Sequence, residues 1–170
     1  MPANDDDVFW TRLVHDDWRI YLAATGKGLC YIGSQDSPYE EMSAWLAARF
    51  PGRTLQQNDS KLEPYTMELI EYFQGNRLRF EAAVDCKGTP FQTEVWHALN
   101  DIPYGRTLTY TEIANDIGRP SAVRAVAAAI GANPLLIRIP CHRVIGKNGA
   151  LTGYRGGLEM KGRLLALETR

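Results

Sequence analysis

The chain has 170 residues, of which 45% are apolar and 23% charged, enough for a packed core and too apolar for a disordered segment. A net charge of −1 argues neither for nor against a polyanionic partner. No apolar run reaches membrane-spanning length, and three cysteines without a short-spaced pair argue against a disulfide framework.

The acidic start "MPANDDDVFW" lacks the basic-then-apolar layout of a secretory signal, so a cytoplasmic protein with reduced thiols is expected. Residues 1–87 carry 9 Lys+Arg against 14 Asp+Glu, and the remainder 10 against 6, which places a positive balance on the second half. That asymmetry suits contact with a polyanion, although surface charge is often lopsided without one.

In chain order, "WRIYLAATGKGLCYIGS" gives two alternating strands joined by a Thr-Gly-Lys-Gly turn. "SPYEEMSAWLAARFPG" predicts a helix with Ser37 as N-cap, Pro38 at its first position and Glu40 closing a capping box, stopped at Pro51-Gly52. "EPYTMELIEYFQGN" predicts a second helix ended by Gly75-Asn76, and "RLRFEAAVDC" a return to strand. Near "KGTP" the pattern changes: Thr89 and Gln92 form a capping box for an amphipathic helix halted by Pro103. A short helix capped by Thr109 and Glu112 and closed by Gly118, then "RPSAVRAVAAAIGAN", reads as helix-turn-helix. On its second helix Val123, Val126 and Ile130 should face the core, beside a stripe of Arg124, Ala127, Ala128 and Gly131. Such small side chains admit a close surface, which is either another helix or DNA.

The segment "IPCHRVIG" sets a cysteine beside a histidine, yet neighbours i and i+1 face different ways on a helix or strand. A thiol–imidazole pair here needs an unusual turn or a bridging water. Cys141 is then either a buried inert thiol, as expected of Cys30 and Cys86, or a nucleophile activated by the polar neighbours His142 and Arg143. Metal binding fits poorly, because His15, His97 and His142 form no ligand spacing with each other or with the cysteines. Thiol–disulfide chemistry lacks a partner cysteine. A papain-like arrangement would have to recruit His15 or His97, neither of which sits in a matching signature, so acyl transfer is possible and unsupported.

"NPLLIRIPCHRVIG" closely resembles the active-site segment of the O6-alkylguanine-DNA alkyltransferases, the methylated-DNA–protein-cysteine methyltransferases, whose hallmark is Pro-Cys-His-Arg-Val. "GTPFQTEVWHALNDIPYGRTLTY", "RAVAAAIGANP" and "GALTGYRGGLEMKGRLLALE" match that family in order and spacing, so residues 88–170 are covered. The first half resembles the family's N-terminal domain only in length and layout. The resemblance implies an α/β domain over residues 1–87, ribonuclease-H-like with a small three-stranded sheet plus helices. It implies a mainly α, winged-helix-like helix-turn-helix domain over residues 88–170 that carries the site.

By the same resemblance Cys141 is the alkyl acceptor, His142 the base acting through a bridging water, and Glu168 the carboxylate that orients the imidazole. Asn133 ties the preceding turn to the cysteine segment, Tyr110 donates a hydrogen bond to the purine, and Arg124 enters the base stack where the damaged nucleotide has left. Tyr154, Arg155 and Gly156 line the pocket, with Arg155 standing where some members carry serine. Ala125, Ala128, Gly131 and Val144 complete the implied DNA- and lesion-binding set. The implied partner is double-stranded DNA containing O6-alkylguanine, met by a monomer without cofactor. Some members hold an N-terminal zinc, but His15, Cys30 and Cys86 lack ligand spacing, so no metal is expected.

Two other classes stand beside this reading. A non-catalytic lesion binder of the same fold would lack the acceptor cysteine. A sequence-specific regulator would carry polar base-reading side chains on the second helix, where this chain has mostly alanine.

Overall fold

A computed structural model describes residues 6–170 and divides the chain into two compact units, with the boundary between Cys86 and Lys87. In the first unit, β1 (Val8–His15) and β2 (Trp18–Thr25) pair antiparallel across a two-residue turn, in which Asp16 takes a left-handed φ of 52°. β3 (Gly28–Ile32) continues from the expected Thr-Gly-Lys-Gly turn. α1 (Tyr39–Arg49) follows, then β4 (Leu55–Gln57) and α2 (Asp59–Phe73). The sheet has four strands in the order β3-β2-β1-β4, with β4 parallel to β1. The strands expected from the sequence were β2, β3 and residues 77–86, so β1 and β4 were both unanticipated; β4, with three residues, is too short to show an alternating pattern.

α1 buries Met42 and Leu46 against Val8, Ala23 and Tyr31 of the sheet. Its expected capping box does not form. The helix begins at Tyr39 with Pro38 as cap residue, and Ser37 Oγ instead donates to the Ser34 carbonyl at 3.0 Å, closing the preceding turn. α2 begins four residues earlier than its expected start at Glu63. Asn58 Oδ1 accepts from Lys61 N at 3.0 Å, and Pro64 lies inside the helix. A proline this close to the start forgoes only one intrahelical bond, which the stacking of Phe73 on Trp18 (centroids 4.4 Å apart) and the burial of Leu62 and Leu69 offset.

Residues 77–86 do not form the expected strand. They make one isolated parallel bridge, Leu29 to Val84, with Leu29 N donating to Ala83 O and Asp85 N to Leu29 O. Gly28 permits that approach, because a Cβ there would sit 2.6 Å from the Ala83 carbonyl and its φ of 152° suits glycine. The rest of the segment is tied by a side chain. Both oxygens of buried Glu68 accept backbone bonds, from Glu81 N and Ala82 N at 2.8 Å each, and Arg77 pairs with it at 2.9 Å.

In the second unit the sequence expectations are met closely. α3 (Pro90–Asn100) and α4 (Tyr110–Asp116) both start with complete capping boxes, at Thr89/Gln92 and Thr109/Glu112. α4, the turn through Gly118 and α5 (Val123–Gly131) make the helix-turn-helix. Val126 and Ile130 are buried as expected, but Val123 is half-buried and Ala129 takes its place. Only a small residue lets the Trp96 indole reach the backbone there, where Nε1 donates to the Ala129 carbonyl at 2.9 Å. β5 (Leu108–Thr109) pairs parallel with β6 (Val144–Ile145), and α6 (Leu158–Glu168) closes the unit. Among the described residues no helix is long and apolar enough to cross a membrane.

Replacing Glu68 with alanine should strand two backbone amides and the Arg77 guanidinium. A loss of about 2 kcal/mol is expected, read as a lower urea midpoint with an unchanged slope.

Candidate active site

Two three-residue turns shape the cysteine segment. Arg138 N donates to Leu136 O at 2.8 Å around Ile137, whose φ of 72° is a strained value for a β-branched residue. Ile137 is only 1% exposed, so apolar burial holds the turn against that strain. Cys141 N then donates to Ile139 O at 2.7 Å across Pro140, whose φ of −79° and ψ of 59° make an inverse γ-turn. Cys141–Arg143 follow as one turn of 3₁₀ helix leading into β6. Successive side chains on such a turn diverge by about 120°, so the cysteine and its neighbour point apart, as their spacing requires.

Asn133 is buried and fixes both turns. Its Nδ2 donates to the Ile139 carbonyl at 2.9 Å and to Cys141 Sγ at 3.2 Å, while its Oδ1 accepts from Leu135 N at 2.9 Å. The sequence placed Asn133 between the turn and the cysteine segment, and the bond to sulfur adds a donor aimed at any charge formed there.

His142 points away from the sulfur toward Glu168, the last residue of α6. Their Nε2–Oε1 separation is 2.8 Å, and both side chains are buried. Arg143 grips the same carboxylate, with Nε 3.0 Å from Oε2 and Nη2 2.8 Å from Oε1, while Nη1 donates to the Ile102 carbonyl at 2.7 Å. Burial alone would raise the Glu168 pKa. The hydrogen bonds and charges of His142 and Arg143 outweigh it and bring the pKa from 4.5 to about 2. Burial also lowers the His142 pKa, against the pull of Glu168. A neutral imidazole facing an ionised carboxylate carries its proton on Nε2 and presents a lone pair at Nδ1. Buried Nδ1 has no hydrogen-bond partner.

Arg143 was read from sequence as a cation that would acidify Cys141. It serves Glu168 instead. Burial pushes the Cys141 thiol up, so the resting sulfur keeps its proton, and the groups that oppose this are the Asn133 amide, Arg155 and Lys161. Lys161 escaped the sequence reading, because nothing in a helical Met-Lys-Gly-Arg stretch marks its lysine as fully buried. Its Nζ donates to the Thr152 carbonyl at 2.7 Å.

A cavity of about 350 Å³ opens beside the sulfur, lined by Cys141, Tyr110, Ala127, Ile130, Gly131, Gly153, Tyr154 and Arg155. Pairing of β5 with β6 brings Tyr110 to it, since Tyr110 follows β5 directly and β6 follows the cysteine turn. Arg155 Nε donates to the Asn133 carbonyl at 3.0 Å, which ties the loop before α6 to the residue that holds the thiol. Arg124, Ala125, Ala128 and Gly131 are exposed along one side of α5. Gly156 does not line the cavity. A Cβ there would lie 2.6 Å from both Tyr154 Cε1 and Met160 Sδ, so the glycine gives the Tyr154 ring its room. Val144 corrects the expected lesion-binding set: it is fully buried in β6 opposite Leu108 and does not line the cavity.

The family model for the DNA-binding domain of 6-O-methylguanine DNA methyltransferase matches residues 90–170, and the model for that family's ribonuclease-like domain matches residues 8–86. The inducible methylated-DNA–protein-cysteine methyltransferase of Bacillus subtilis is 56% identical over all of this chain and 95% of its own length. A crystal structure of Mycobacterium tuberculosis O6-methylguanine methyltransferase superposes with a TM-score of 0.82 at 38% identity, covering 95% of this chain and 93% of that one. The M. tuberculosis protein in complex with DNA gives 0.79 at 37% identity, over 95% and 92% of the two chains.

Replacing Glu168 with glutamine leaves Arg143 buried without its counter-charge, and a loss of about 3 kcal/mol at neutral pH is expected. Because the native pKa is depressed, the carboxylate's contribution is complete above 4.5 and disappears as the pH falls toward about 2. Thermal unfolding at a series of pH values should therefore show the parent and Glu168→Gln curves converging over that interval; a constant gap would contradict the assigned ion pair.

Proposed function

The chain belongs to the 6-O-methylguanine DNA methyltransferase family, and we propose that it reverses O6-alkylguanine damage, and to a lesser degree O4-alkylthymine, by moving the alkyl group irreversibly onto Cys141. The observation that carries the residue assignment is Cys141 itself, lining a largely apolar cavity beside the exposed small-residue face of α5. Its substrate is double-stranded DNA carrying the lesion. The transfer uses groups of one chain and needs no cofactor or second copy, and a cytoplasmic monomer is the form in which we take it to act.

In a duplex the O6 atom is hidden, so the nucleotide rotates out of the stack at a cost of a few kcal/mol. Arg124, exposed near the start of α5, fills the gap, while Ala125, Ala128 and Gly131 let the helix approach the groove without reading bases. The extruded base enters between Tyr154 and the Tyr110 end of the cavity. A water bridging Cys141 to His142 Nδ1 takes the thiol proton inward, and Glu168 holds the imidazolium that results. Asn133, Arg155 and Lys161 stabilise the thiolate left behind.

The sulfur attacks the alkyl carbon in line. The S–C bond forms as the C–O bond breaks, and the electron pair passes to the purine. The Tyr110 hydroxyl meets the charge that develops there. The product is a thioether, which has no activated carbonyl for water to attack, so the thiol is not regenerated and each molecule acts once.

Incubation with DNA bearing labelled O6-methylguanine should place at most one equivalent of label on each chain, at Cys141. Cys141→Ser should abolish transfer and retain DNA binding; repeated turnover, or label on Cys30 or Cys86, would refute the mechanism. Arg124→Ala should slow repair of duplex at least ~10-fold more than reaction with the free alkylated base, in line with the few kcal/mol of base extrusion. Equal slowing of both reactions would remove the intercalating role.

A further inference from the structure

Tyr110 is not held by its own helix. Its hydroxyl donates to the Gly153 carbonyl at 3.4 Å and accepts from Thr152 Oγ1 at 3.3 Å, across the cavity mouth. Thr152 is in turn fixed from two sides. Its carbonyl accepts from the buried Lys161 ammonium at 2.7 Å, an anchor made strong by its charge. Its methyl lies against Gly146, where a Cβ would come within 3.1 Å of Cγ2 and 3.5 Å of Oγ1. Gly146 is itself set by donating to the Ala150 carbonyl at 2.8 Å, so Lys161 fixes the Thr152 backbone while the Gly146 backbone crowds its side chain.

We propose that Thr152 is a positioning residue for Tyr110: its hydroxyl holds the phenol at the cavity mouth and polarises it for donation to the purine. The proposal rests on the reading of Tyr110 as the donor to the leaving base. In the lesion-free protein the phenol O–H donates to the Gly153 carbonyl. When the base enters, the phenol exchanges that long bond for the purine, and Thr152 continues to donate to its oxygen. No proton need cross from Thr152, since a hydroxyl donating to a second hydroxyl strengthens the second as a donor. The Thr152 hydroxyl bonds to Tyr110 and not to Cys141, so the effect of the hydroxyl passes through Tyr110.

The test is a double-mutant cycle read by single-turnover transfer from O6-methylguanine duplex. Thr152→Val keeps the methyl against Gly146 and removes only the hydroxyl; it should slow transfer about five-fold, as expected for one hydrogen bond. Duplex affinity should be unchanged. Thr152→Ser should restore the rate to within about two-fold, and in a Tyr110→Phe background Thr152→Val should have no further effect. An unchanged rate in Thr152→Val, failure of serine to rescue, or a five-fold loss that persists without the Tyr110 hydroxyl would each overturn the proposal. Failure of the parent protein to take up label would instead sink the repair reading itself.

Discussion

The buried carboxylate of Glu168 is the interaction on which the site depends. At the end of a helix it opposes the macrodipole, and buried alone it would be protonated. It stays ionised because His142 and Arg143 both bind it, and Arg143 is anchored further on the Ile102 carbonyl. That one charge fixes the imidazole tautomer, links α6 to the cysteine turn, and turns the bare Nδ1 lone pair inward. The carboxylate need never accept a proton. In the proposed transfer its work is to make a neutral histidine a competent base and then to stabilise the cation it becomes.

The two buried thiols of the chain show why burial alone makes neither reactivity nor inertness. At Cys30, burial and the nearby Asp85 carboxylate push the pKa to about 12. At Cys141, burial pushes the same way, but an amide donor and two cations oppose it. The resting Cys141 thiol is therefore protonated yet surrounded by groups that favour its anion, so its charge forms when a base for the proton and an electrophile are present together. If Cys141 is consumed by one reaction, as proposed, a sulfur quiet at rest avoids loss to adventitious oxidants and alkylating agents.

Local rules were legible in the sequence wherever the signal was local. The capping boxes at Thr89 and Thr109 are fixed within four residues and form as written. The box expected at Ser37 fails because that hydroxyl finds the Ser34 carbonyl first, a competition between two short-range bonds that spacing alone does not decide. Residues 77–86 have strand-like composition and are held instead by a carboxylate from α2, a long-range contact with no local signature. The same distinction divides the site. Cys141, His142 and Asn133 lie within ten residues and declare themselves in one segment. Arg143 was seen but assigned to the wrong partner, because its carboxylate lies 25 residues away at the chain's far end. Lys161 and Thr152 were not seen, since what marks them is burial and a carbonyl contact rather than residue type.

The face offered to DNA follows from the same economy of side chains. A helix that reads sequence needs long polar groups to reach base edges, and those groups keep the backbone at a distance. α5 exposes Ala125, Ala127, Ala128 and Gly131 with a single cation, Arg124. Ala127 and Gly131 also line the cavity that holds Cys141, so the exposed face of α5 is continuous with that cavity. On the proposed function the small residues would meet two demands at once, close approach to any sequence and an unobstructed path from the duplex to the sulfur, and a lesion that can occur at any guanine requires both.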